Sequence, residues 1–129
     1  MKAMFIDVEK GKFPEVVDIN PENDVITKML DCEYLDFAYL DIEGKKFTFA
    51  VDDVGLYKEK PKPAVIEAIE KDGNIEYDVR VVGNVLIFGY PTFEGDLTAL
   101  TVDDCRLIIK HTIQVTNKEN KAQNCALLI

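Results

Sequence analysis

A chain of 129 residues with 47% hydrophobic and 30% charged side chains is long enough to bury one core and too apolar to stay disordered. Its net charge of -9 and isoelectric point near 4.6 exclude the basic footprint that direct nucleic-acid binding needs. No apolar run approaches the roughly 20 residues of a membrane helix, and Asp7 comes too early for a signal peptide, so a cytoplasmic protein without membrane contact is expected.

In chain order, residues 2–7 alternate weakly and read as a first strand. Glu9-Lys10-Gly11-Lys12 turns the chain, and Phe13 to Ile19, centred on Val16 and Val17, gives a second strand that pairs with the first as a hairpin. Pro14 places that strand near an edge. Asn20-Pro21-Glu22-Asn23-Asp24 signals a helix start, and Val25, Ile26, Met29 and Leu30 follow at helical spacing, so a helix of about two turns is expected.

Glu33 to Asp41 alternates as a strand, with Leu35, Phe37 and Tyr39 on one face and Tyr34, Asp36, Ala38 and Leu40 on the other. After the Glu43-Gly44-Lys45 turn, Phe47, Phe49 and Val51 share a face, with Lys46, Thr48 and Ala50 opposite. These runs predict a hairpin whose aromatic faces lie together over the core. Asp52 to Pro63 is irregular, and its prolines and lysines favour an extended surface path. Ala64 to Lys71 fits either a helix face, through Val65, Ile66 and Ile69, or a hairpin that turns at Asp72-Gly73-Asn74 into Ile75, Tyr77 and Val79; strand is expected.

Val85-Leu86-Ile87-Phe88, bracketed by Gly83 and Gly89, is a continuous apolar run suited to a central strand covered on both faces. Glu94-Gly95-Asp96 turns the chain toward Thr101, whose hydroxyl can accept from the amide of Asp104 at the third helical position. Asp103 and Asp104 then fall in the first turn of a second helix, and Lys110 and His111 in its last, as the helix dipole favours. Gln114 to Asn124 is polar and is expected to be a flexible linker. Cys125-Ala126-Leu127-Leu128-Ile129 is too apolar for a free tail, and it is expected to dock on its own core or on a second subunit, which makes a homo-oligomer through Cys125 to Ile129 the expectation. The whole reads as an α+β protein: an antiparallel or mixed sheet of about five to seven strands with two short helices. Residues 1–113 form the single domain, and 114–129 the polar linker and apolar tail.

Several of these segments also carry a resemblance. Met1-Lys2-Ala3 with Phe5-Ile6-Asp7, then Glu15-Val16-Val17-Asp18-Ile19, the Gly83-to-Gly89 strand, Glu94-Gly95-Asp96-Leu97, and Leu100-Thr101 before an acidic helix start are similar to a family of short proteins, domain of unknown function 3846. The likeness covers most of residues 1–112. It implies a bacterial, phage or mobile-element setting and no assigned reaction. Where that family carries an Asn-Glu-Glu-Gly-Lys-like turn and a Leu-Pro-Pro-Asn-like loop, this chain has Asp52-Asp53-Val54-Gly55-Leu56 and Lys60-Pro61-Lys62-Pro63-Ala64, without either asparagine.

Candidate chemistry is sparse. Cys32, Cys105 and Cys125 are widely spaced with only His111 to join them, so structural thiols and no metal site are expected. Asp52-Asp53 lacks the spacing of a calcium loop, Asp103-Asp104 is explained by capping, and His111 at a helix C-terminus is a dipole partner before it is a base. With no nucleophile motif, phosphate loop or dinucleotide fingerprint, neither catalysis nor a cofactor is expected. The loop that gathers Tyr57, Lys58, Lys60 and Lys62 is the candidate ligand site: its ring and cations suit a small anionic, nucleotide-like molecule. The functional expectation is a non-catalytic binding protein that captures such a ligand, or a host protein in counter-defence. The alternative is an acidic mimic of DNA that blocks a restriction or other DNA-binding enzyme.

Overall fold

The computed structural model describes residues 1–55 and 62–129. Among the described residues nine strands and two helices follow one another as β1 (Lys2–Ile6), β2 (Glu15–Asp18), α1 (Asn23–Leu30), β3 (Leu35–Ile42), β4 (Lys45–Asp52), β5 (Pro63–Lys71), β6 (Asn74–Val82), β7 (Val85–Gly89), α2 (Val102–Lys110), β8 (Thr112–Thr116) and β9 (Ala122–Leu128). The α+β class and the two helices are as expected. The strands divide into two sheets instead of one: five in the order β2-β1-β7-β4-β3 and four in the order β6-β5-β9-β8.

The five-stranded sheet is antiparallel throughout and is built around β7, which pairs with β1 on one side and β4 on the other. Val85, Leu86, Ile87 and Phe88 are all fully buried, because both faces of this strand are covered. Leu86 and Phe88 pack with Ile26 and Leu30 of α1. Val85 and Ile87 join Cys105 and Ile108 of α2 together with Val65 and Leu127 of the second sheet. A continuous apolar run is the sequence of a strand with no solvent side. Gly89 ends it at a close approach: its N–H donates to the Thr98 carbonyl at 2.9 Å, and a Cβ there would collide with the Thr98 hydroxyl.

The β3–β4 hairpin forms where expected, but its faces pair differently. Glu43 and Gly44 both take positive φ, as a two-residue turn between twisted strands requires, and Ile42 therefore pairs with Lys45. That register sets Phe49 opposite Ala38 and Phe47 opposite Leu40, while Phe37 faces Ala50. Residues directly opposite share a face. Phe47 and Phe49 thus enter the core beside α2 and the second sheet, and Phe37 lies on the α1 side.

Helix α2 begins with the reciprocal cap that its sequence foretells. The Asp104 amide donates to the Thr101 hydroxyl at 3.1 Å, and the Thr101 amide donates to the Asp104 carboxylate at 2.9 Å. The linker expected over 114–124 is strand at both ends, β8 and β9, with a turn between them. In that turn the Asn117 side-chain oxygen accepts from the amides of Glu119 and Lys121, so the polar residues there do turn chemistry. Strand β9 runs parallel to β5 and antiparallel to β8. Cys125, Ala126 and Leu127 are buried within this chain's own core, while Leu128 and Ile129 remain partly exposed.

Candidate binding surfaces

Of the four residues expected to hold an anion, Tyr57, Lys58 and Lys60 lie outside the described residues. Lys62 immediately precedes β5, is partly exposed, and its carbonyl accepts from the Gly83 amide at 2.8 Å. The other sequence candidates are accounted for by architecture. Asp52 closes β4, where its carboxylate accepts from the Val54 amide at 3.1 Å. Buried Asp104 pairs with Lys45 across to β4. Burial pushes its carboxyl up, but the Lys45 ammonium and the Thr101 amide and hydroxyl outweigh this and hold it below the usual carboxylate range. Cys105 and Cys125 are buried, and burial pushes the Cys105 thiol up, away from nucleophilic use. Among the described residues no group of three or more His, Cys, Asp or Glu side chains could hold a metal ion.

His111 caps the C-terminus of α2 and ties two distant elements together. Its Nδ1 lies 2.8 Å from the Leu128 carbonyl oxygen of β9, and its Nε2 lies 3.1 Å from Glu43 in the β3–β4 turn. The His111 ring and then the Lys110 ammonium at 3.3 Å hold the Glu43 carboxyl below its ordinary value. The group is a clamp between elements, joining α2 to β9 and to the β3–β4 turn.

Among the described residues, two of the surface grooves are open and sizeable. One of about 580 Å³ is lined by Thr27, Lys28, Cys32, Tyr34 and Val54. The other, about 470 Å³, is walled by Pro21, Phe37, Tyr39 and Pro91 with Asp96 at its side. The Tyr39 and Tyr90 rings meet edge to face beside it, 6.2 Å between centroids.

The β5–β6 hairpin carries a row of exposed apolar side chains. The turn residues Asp72 and Gly73 both take positive φ and set a tight two-residue reversal. Beyond it β6 is exposed from Asn74 to Arg80, and only Val81 and Val82 reach the core. Ile75, Tyr77 and Val79 are 63%, 63% and 52% exposed. The register sets Tyr77 opposite Ala68 and Val79 opposite Ile66, so these side chains form one apolar face. On the other face Glu76 lies opposite Ile69 and Asp78 opposite Glu67, and Arg80 Nε sits 2.6 Å from Glu67 Oε2. From Glu67 to Arg80 the hairpin carries five acids and two bases. Sequence reasoning found this hairpin but not its exposure, because its period of two is that of any half-covered strand.

A family model described as a domain of unknown function (DUF3846) matches residues 1–113. The chain belongs to this family. The DUF3846 match takes in α1, the β5–β6 hairpin and both grooves, and it ends within β8, so that β9 lies beyond it. No curated protein and no solved structure matches the chain. No helix among the described residues is long and apolar enough to cross a membrane.

Proposed function

We propose that this protein is a non-catalytic binding protein that captures another protein through the β5–β6 hairpin. The observation that carries this reading is the row of Ile75, Tyr77 and Val79, three large apolar side chains in alternation on a strand that leaves the core behind. Scattered exposed apolar residues are ordinary, but a contiguous exposed face is a contact surface. Its surroundings set the partner's character: with five acids and two bases along the hairpin, the complement is an apolar surface rimmed by basic residues. The mobile-element setting implied by the family resemblance makes a host protein the natural target.

For capture of a small anion at Tyr57, Lys58, Lys60 and Lys62, only Lys62 lies within the described residues, so the hairpin carries the reading. Imitation of DNA needs unpaired carboxylates spaced along one face. Here Asp18, Glu43, Glu67 and Asp104 belong to ion pairs on separate elements.

The test is site-specific photocrosslinking in cells, with the reactive group at position 77 or, as a control, at position 118. One discrete adduct from position 77 is expected, lost in the Ile75→Ser/Val79→Ser variant and rebuilt from the two purified proteins. Identical adducts from both positions, or none from position 77, would overturn the reading.

A further inference from the structure

Resting on the hairpin as the contact surface, we propose that the partner enters as an extended segment of alternating apolar and basic residues that adds to the outer edge of β6 as a new strand.

The edge itself is the first reason. Strand β6 stands at the end of its sheet, with β5 as its one neighbour among the described residues. Strands left at an edge are normally blunted by proline, by a bulge, by shortness or by inward charge. Strand β6 contains no proline and is nine residues long. Its register with β5 runs unbroken from Val79 to Asn74, and the irregularities fall at the far end, between Pro63 and Ile66. Among the described residues no strand pairs with this edge, so its backbone donors and acceptors are left for another chain to complete.

Side-chain chemistry then selects the chain. Ile75, Tyr77 and Val79 point to one face and Glu76 and Asp78 to the other, so an added strand meets apolar and acidic neighbours in turn. Asp78 directly opposes Glu67, and Arg80 is committed to Glu67. Like charges opposite one another are destabilising, and a lysine or arginine set beside Asp78 from the open side relieves the repulsion. Apolar residues at the intervening positions cover Tyr77 and its neighbours in the same step. A second copy of β6 fails this requirement when centred on Tyr77, because Glu76 of each strand then faces Asp78 of the other.

The experiment uses the full chain and three short synthetic peptides: valine alternating with lysine, the same residues in two blocks, and valine alternating with glutamate. Binding is followed by titration, and the site by amide hydrogen exchange. The alternating valine–lysine peptide should bind and slow exchange across residues 74–80. The block peptide should show no such protection, and the glutamate peptide should bind about tenfold more weakly or worse. In the Glu76→Lys/Asp78→Lys variant the preference between lysine and glutamate peptides should invert. Equal binding by the alternating and block peptides, protection elsewhere, or no inversion would overturn the proposal. So would protection of residues 74–80 in the protein alone that grows with its concentration, which would make a second copy the occupant. If position 77 still crosslinks a partner while no peptide binds, capture by the hairpin stands and strand addition falls.

Discussion

Strands β7 and β6 differ less in sequence pattern than in what surrounds them. Val85 to Phe88 is enclosed by α1 on one side and by α2 and the second sheet on the other, whereas Asn74 to Arg80 is open along its whole length. Both contain large β-favouring side chains. The contrast teaches that such residues earn their place in two ways: in β7 they hold the molecule together, and in β6 they face outward with none of the described residues covering them.

The sharpest way to break that contrast is to truncate one ring on each side of it. Phe49 is fully buried, and Phe49→Ala should cost about 3–5 kcal/mol in a denaturant titration. Tyr77→Ala, at 63% exposure, should change stability by no more than about 0.5 kcal/mol. Comparable losses at the two sites would show that the hairpin is covered in the native protein.

Two glycines give a smaller version of the same comparison. At Gly89 a Cβ meets the Thr98 hydroxyl and the Ala99 carbonyl, so Gly89→Ala should destabilise by about 1–3 kcal/mol. Gly73, at the hairpin tip, has open space around it but a φ of 81°. Gly73→Ala should cost about 1–2 kcal/mol from backbone strain alone. Thermal denaturation of the two variants beside the parent checks the order, which reverses if the turn rather than the close approach is the tighter constraint.

The smallest effect concerns pH. The carboxyls of Glu43 and Asp104 are held below their ordinary values, so each contributes stability that is complete above the unfolded carboxylate range and is lost as pH falls through the folded value. Stability measured from about pH 7 down to about pH 3 should therefore fall less steeply in Glu43→Gln than in the parent. A parallel acid limb in the two proteins would show that the Lys110 and His111 contacts do not persist in solution.

Much of the architecture was legible where local signals were redundant. The glycine-bracketed run marks β7, and Thr101 with Asp104 marks the start of α2, each from local signals alone. The faces of the β3–β4 hairpin were not read correctly, although the information was present. A two-residue turn that pairs Ile42 with Lys45 puts odd-numbered residues of one strand on the same side as even-numbered residues of the other, and so separates Phe37 from Phe49. Residues 114–124 were misread because asparagine and lysine look alike in a turn and in a linker, and only the docking of Leu127 beside Val65 decides between them. The exposed face of β6 was invisible for a related reason: alternation reports that two faces differ, and tertiary packing alone determines which of them is covered.

The placement of β9 carries a consequence for synthesis. Val65 pairs with Leu127, and Ile66 with Leu128, so β5 gains its inner neighbour from residues made some sixty positions later. During translation the β5–β6 ribbon lacks that neighbour until those residues leave the ribosome, and only its base, through Ala64, Val65 and Val81, has the first sheet to pack on. A nascent chain therefore cannot complete the four-stranded sheet until β9 has been made and inserted between β5 and β8.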